Sequence, residues 1–179
     1  MKDVPSFCLW YTNRGKRGTI VKQAKTNAAR MLDRARVAYE LLTYEYTDGQ
    51  IDGISVARKI GQREEIVYKT LVTKGASGQL YVFVIPVAAE LDLKKAATVV
   101  GEKSVHMLPV ADIEKMTGYV RGGCSPIGMK KMYATYVDES ALLHEQIIVS
   151  AGKIGLQMKL FVQDLLKLTK GKTAHVIKA

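Results

Sequence analysis

The residues best suited by type and spacing to do chemistry fall in three short segments. The first runs from Thr117 to Gly128 and reads Thr-Gly-Tyr-Val-Arg-Gly-Gly-Cys-Ser-Pro-Ile-Gly, with glycine at 118, 122, 123 and 128. Backbone N–H groups approach a phosphate, ribose or carbonyl closely only where side chains are absent. Gly122 and Gly123 supply that, Ser125 and Pro126 stiffen the next turn, and Arg121, Lys130 and Lys131 flank the loop with positive charge. It lacks the Gly-Lys-Ser/Thr of a Walker A loop and the GxGxxG of a dinucleotide fold. A tight structural turn is the competing reading of the same residues.

The second segment is Val67-Tyr68-Lys69-Thr70-Leu71, a strand of otherwise buried type. Alternation puts Val67, Lys69 and Leu71 on one face. Lys69 is then either an edge-strand lysine in solvent or a cation placed in a cleft. The third is Ser150-Ala151-Gly152-Lys153-Ile154-Gly155, which links two strand-like runs.

Nucleophilic catalysis finds little support. The chain has no GxSxG elbow. Cys124 has no histidine near it in sequence, and its glycine neighbours suit packing. Tyr44 and Asp164 have no local context that singles them out. His106, His144 and His175 have no ligand partner at i+2, i+3 or i+4, so neither a metal site nor a cofactor is expected. Side chains that position a substrate fit this inventory better than side chains that attack one.

The chain has 179 residues, 47% hydrophobic and 25% charged, the balance of a globular protein. That length allows burial of roughly 70% of the unfolded surface without disulfide or metal. No apolar run approaches the ~20 residues of a bilayer span, so no membrane association is expected. Two cysteines, Cys8 and Cys124, make neither a disulfide framework nor a CxxC pair, which together with the lack of an export signal suggests the cytoplasm. The net charge is +10, and residues 1–36 hold nine Lys/Arg against two Asp/Glu. Such an arm suits a polyanion such as RNA, or is a solvated tail.

The elements that must position these residues are short and interleaved. Residues 1–25 have no clean period and read as a basic extension, poorly ordered or lying on the surface; residues 26–179 read as the folded domain. Thr26 or Asn27 caps a helix with Ala28, Met31, Leu32 and Ala35 inward. An extended run over 39–46 comes next, and Asp52 caps a second helix that Gly61 ends. Residues 66–73 and 80–87 form a hairpin across Lys74–Gly78. Residues 89–100 read as a helix with Leu91, Leu93, Ala96, Ala97 and Val100 inward, and residues 111–117 as one or two helical turns. Strands are expected near Val105 and over 131–137, 146–150 and 156–162, then a helix over 163–169. The expected fold is a compact mixed α/β domain, a mixed sheet or partly open barrel flanked by helices.

Five segments in order carry a resemblance: Val67–Leu71, Leu91-Asp92-Leu93-Lys94-Lys95, Thr117-Gly118-Tyr119, Gly122–Gly128 with Lys130-Lys131, and Val149–Lys153. Together they resemble the YbaK/EbsC family of aminoacyl-tRNA deacylases, related to the editing domain of bacterial prolyl-tRNA synthetases. The resemblance spans about residues 26–178. It implies trans-editing of Cys-tRNA(Pro), because a pocket separates amino acids of similar size by only about 10- to 200-fold. It implies that the substrate's own thiol attacks its ester, and a transient partnership with prolyl-tRNA synthetase. It implies roles for Lys69 at the terminal adenosine, its phosphate and the ester, and for the Gly122 and Gly123 N–H groups at the carbonyl or ribose. Tyr44 and Asp164 would shape the pocket, and Ser125, Pro126, Gly152 and Lys153 would line it.

Two departures bear on specificity. Cys124 stands where the family often has an aliphatic residue, and Ser150–Ile154 loses one glycine and one basic residue of the family's Ser-Gly-Gly-Lys-Arg. An alanyl-tRNA(Pro) deacylase of the same fold and a non-catalytic RNA- or nucleotide-binding module are the alternatives. A surface or regulatory protein is a further reading, for which the chain offers no anchor.

Overall fold

The computed structural model describes residues 25–179; the basic extension expected over residues 1–25 lies outside them except for Lys25. Helix α1 (Asn27–Ala35) starts where Thr26 Oγ1 accepts the Ala29 N–H at 3.2 Å. It buries Ala28, Ala29 and Leu32 and ends at Arg36, which turns left-handed. Strand β1 (Tyr39–Thr43) leads through a turn to α2 (Gly53–Lys59), capped by Asp52, whose Oδ1 accepts from Ser55 N at 3.0 Å.

The hairpin forms as β2 (Tyr68–Gly75) and β3 (Leu80–Pro86), and Ile66, the first residue of the expected strand, ends a 3-10 turn over Glu64–Ile66 instead. Then come α3 (Leu93–Val100), β4 (Val105–Met107), α4 (Val110–Thr117), the glycine-rich loop, and β5 (Ala134–Asp138). A 3-10 turn at Glu139–Leu143 precedes β6 (Gln146–Lys153) and β7 (Leu156–Phe161), and α5 (Val162–Thr169) and β8 (Lys172–Ala174) close the order.

The strands build two sheets. One is antiparallel, in the order β1-β7-β6; the other is mixed, in the order β4-β2-β3-β5-β8, with β3–β5 and β5–β8 parallel. The two meet at a parallel bridge between Val67 and Ile148 and do not close into a barrel. The main core lies between the sheets and includes Leu32, Val82, Val84, Ile147 and Met158. A second core, with Phe83 and Ile85, packs under α3, and a third, Ala57, Val67, Val87 and Ile148, under α2. Each fully buried aliphatic or aromatic side chain contributes roughly 1.5–3 kcal/mol.

Three expectations change. Helix α3 begins at Leu93, because Asp92 caps it through Lys94 and Lys95 N–H while residues 90–92 pair with the C-terminal chain. Leu93 is consequently exposed rather than inward. Residues 131–133 stay in the loop, and β8, three mostly polar residues, carries no strand signal.

Candidate functional site

Four elements converge at the end of the three-stranded sheet where β6 turns into β7. The Val67–Ile148 bridge lays β2 alongside β6 in the same direction. Lys69 and Ser150 therefore stand two residues further on, each on the face of its bridge partner. Gln157 pairs directly with Ser150 on one side and with Leu42 on the other. Tyr44, two residues beyond Leu42, is held by its N–H to Gly155 O at 3.1 Å.

The glycine-rich loop closes the other side. A Cβ on Gly123 would stand 2.9 Å from Ile154 N and 3.1 Å from Lys153 C, so the loop backbone lies directly against the β6–β7 turn. Gly122, at φ +82°, faces Ile51 ahead of α2. Tyr119 pins the arrangement. Its ring lies over Gly152, where a Cβ would meet Cε1 at 2.6 Å, and its hydroxyl donates to Ile127 O at 2.7 Å.

Lys69 is half-buried, and its Nζ donates to the main-chain carbonyl of Val87 at 3.0 Å. Burial pulls its pKa below the usual lysine value, and the nearby Glu90 carboxylate opposes that in part. Glu90 is itself ion-paired with Lys178 at 2.6 Å, and its carbonyl accepts the Lys178 N–H at 2.9 Å. Val87 is fixed in turn by its N–H to Val67 O and by Gly53, whose missing side chain lets α2 touch it. Lys69 is thus half-buried and hydrogen-bonded, rather than a lysine free in solvent.

The loop's donors differ from expectation. The Gly123 N–H donates to Val120 O at 3.0 Å, so it closes a turn and is not on offer. The N–H groups of Gly122, Cys124 and Ser125 have no acceptor among the described residues. Buried N–H groups are paired in nearly all native structures, so open ones point to a ligand. Gly123 contributes by close approach instead. Ser125 and Pro126 are buried; Ser125 Oγ accepts from Ile127 N at 3.3 Å and serves the turn. Burial pushes the Cys124 thiol up to about 11, which keeps it a thiol at neutral pH. Lys153 is exposed on the adjoining turn.

Two polar side chains mark the interior of the site, and one of them is buried without a partner among the described residues. The Tyr44 hydroxyl has no partner among the described residues, although Tyr44 is 7% exposed. Gln157 is 6% exposed as a residue; its amide makes no side-chain hydrogen bond among the described residues but keeps access to solvent. Leaving the Tyr44 hydroxyl unpaired costs about 1–3 kcal/mol, a cost a polar ligand would remove. Gln157 carries no motif; alternation along 156–160 reads it as a solvent-facing position.

Asp164 is not among the converging residues. It sits in the first turn of α5, just past Phe161, whereas Tyr44 adjoins the Leu156 end of β7. Five strand steps separate those ends, roughly 17 Å at 3.3–3.4 Å each. Asp164 lines a cleft of about 400 Å³ with His144, Glu145 and Phe161, remote from Lys69. Among the described residues no group of three or more His, Cys, Asp or Glu could share a metal ion, and no helix is long and apolar enough to cross a membrane.

A lysine, a close-packed glycine loop with open N–H donors and a strand turn, on a split α/β sheet, define the class, and comparison with known proteins gives the family. Residues 52–168 match the family described as the aminoacyl-tRNA editing domain, and the chain belongs to it. It is 46% identical over 154 residues to a protein of Enterococcus faecalis (strain ATCC 700802 / V583) named Cys-tRNA(Pro)/Cys-tRNA(Cys) deacylase EbsC, covering 86% of this chain and 94% of that one. A solved structure described as a trans-editing enzyme for prolyl tRNA synthetase has the same fold, with a TM-score of 0.75 at 22% identity over 88% of this chain and all of that one. Another, of a hypothetical protein, aligns with a TM-score of 0.78 at 20% identity, over 86% of this chain and all of that one.

Proposed function

We propose that this chain hydrolyses mischarged aminoacyl-tRNA in trans, with Cys-tRNA(Pro) as its substrate. The observation that carries the reading is the site itself: a desolvated lysine and open backbone donors, with no activated nucleophile beside them. Cys124 is a buried thiol and Ser125 is buried in the turn, so neither is poised to attack an ester. The attack then falls to water or to the substrate itself, and a cysteinyl ester carries a thiol beside its own carbonyl. Its sulfur attacks the ester carbon, the C–S bond forms as the bond to the ribose oxygen breaks, and that oxygen leaves with a proton; water then opens the product to free cysteine.

In this reading Lys69 binds the phosphate and ribose of the terminal adenosine and orients the ester. The N–H groups of Gly122, Cys124 and Ser125 stabilise the charge that develops on the carbonyl oxygen. Tyr44 and Gln157 contact the aminoacyl group. A transient association with prolyl-tRNA synthetase would bring the enzyme to freshly mischarged tRNA, and the cytoplasm is where that tRNA is made. The test is hydrolysis of Cys-tRNA(Pro) against correctly charged Pro-tRNA(Pro). The reading expects the cysteinyl ester to disappear and the prolyl ester to survive; equal survival of both would remove it.

A further inference from the structure

The editing site leaves unexplained a run of positive charge on α1. Ala28, Ala29 and Leu32 face the core, so the 100° step of the helix turns Asn27, Arg30 and Arg34 outward on one stripe. Arg30 and Arg34 stand one turn apart, about 6 Å along the axis. Both are exposed, and neither has an acidic partner among the described residues. The helix's own carboxylate, Asp33, is engaged by Lys25 and by the Tyr39 hydroxyl at 3.0 Å. The stripe's charge is therefore uncompensated.

The stripe is also joined to the site. Asn27 Nδ2 donates to Gly128 O at 2.6 Å, and a Cβ on Gly128 would stand 2.9 Å from the Tyr119 hydroxyl. The same tyrosine ring covers Gly152 on the β6–β7 turn. One aromatic ring thus spans from the mouth of the site to the start of α1. Exposed Lys131 extends the patch from the loop: it shares with Met31 of α1 a small groove of about 130 Å³, and it too lacks an acidic partner among the described residues.

We propose that Arg30 and Arg34 of α1, with Lys131 of the loop, form the docking face for the phosphate backbone of the RNA whose 3′ end enters the Lys69 site. This rests on the deacylase reading. It separates two tasks: Lys69 and the loop hold the ester end, and α1 grips the stem behind it. Arginines on a helix face suit phosphate, which they engage in a bidentate manner. Removing one such arginine–phosphate pairing lowers the salt slope of binding by about one.

The test uses the full chain carrying Arg30→Glu and Arg34→Glu, with Lys131→Glu as a separate variant and Lys103→Glu, exposed beside β4 at the opposite edge of the mixed sheet, as the control. Binding of uncharged tRNA is measured across salt concentration. Hydrolysis is measured on Cys-tRNA(Pro) and on a cysteinylated CCA trinucleotide. The expected result is a tenfold or greater rise in KM for the tRNA ester with the trinucleotide ester unaffected, and a slope lower by roughly two for the double variant. Lys103→Glu behaves as wild type. Equal loss on both esters, or an unchanged slope, would overturn the docking face. Unchanged tRNA binding with lost capture of prolyl-tRNA synthetase would overturn it in favour of a protein-binding surface. If the wild type hydrolyses neither ester, the deacylase reading fails, while the tRNA-binding arm still decides for or against the face.

Discussion

The ammonium group of Lys69 rests against the main-chain carbonyl of Val87, 3.0 Å away, with the Glu90 carboxylate near enough to influence it. A cation that is half desolvated and held by a neutral acceptor is easily deprotonated, and it retains donors for a ligand. Burial dominates and lowers its pKa, so the cation is lost at a lower pH than for free lysine, about 10.4.

The alkaline limb of the rate profile should therefore begin below the ordinary lysine range. Glu90→Gln removes the charge that favours the ammonium form and should move the limb to lower pH. Lys69→Arg keeps its charge throughout and should abolish the limb, at a reduced rate. The check is kcat/KM against pH for the three proteins. A limb that does not move in Glu90→Gln would detach Lys69 from the profile.

Gly123 should tolerate no side chain. A Cβ there meets backbone atoms of Lys153 and Ile154, which cannot rotate away. Gly123→Ala should destabilise by about 1–3 kcal/mol, read as a fall in Tm of several degrees, and lower deacylation at least tenfold. Gly49→Ala is the comparison: φ is +73° there, but nothing lies within 4 Å. It should lower Tm modestly and leave activity intact. Matching activities in the two variants would show that the loop's close approach is immaterial.

Gln157 and Asp164 should separate cleanly. Gln157→Leu removes an amide with no side-chain hydrogen bond among the described residues, so the fold should survive, while deacylation falls about tenfold, within the range for removing one polar partner of a ligand. Asp164→Ala, beyond the far end of β7, should stay within threefold of wild type. Both are read as kcat/KM beside a thermal melt. A larger loss in Asp164→Ala than in Gln157→Leu would reverse the assignment.

These two residues also mark where the sequence stops being legible. Thr26 and Asp52 can be read as helix caps because capping is local chemistry. The loop glycines can be read because a need for small residues shows in composition. Asp164 and Gln157 cannot, because which end of β7 a residue occupies depends on pairing with β1 and β6. The start of α3 is hidden for the same reason: Leu91 belongs to a bridge with Ile177, near the far end of the chain. The role of Gly123 is half legible. Its lack of a side chain is visible, but the use of its N–H by Val120 is not.

The most direct measurement compares Cys-tRNA(Pro) with Ala-tRNA(Pro), using wild type and Lys69→Ala side by side. Wild type should rapidly lose the cysteinyl ester alone, and Lys69→Ala should fall about 100-fold or more with an unchanged thermal melt. Hydrolysis of the alanyl ester at a similar rate would contradict the thiol-assisted mechanism. Full activity in Lys69→Ala would contradict the site.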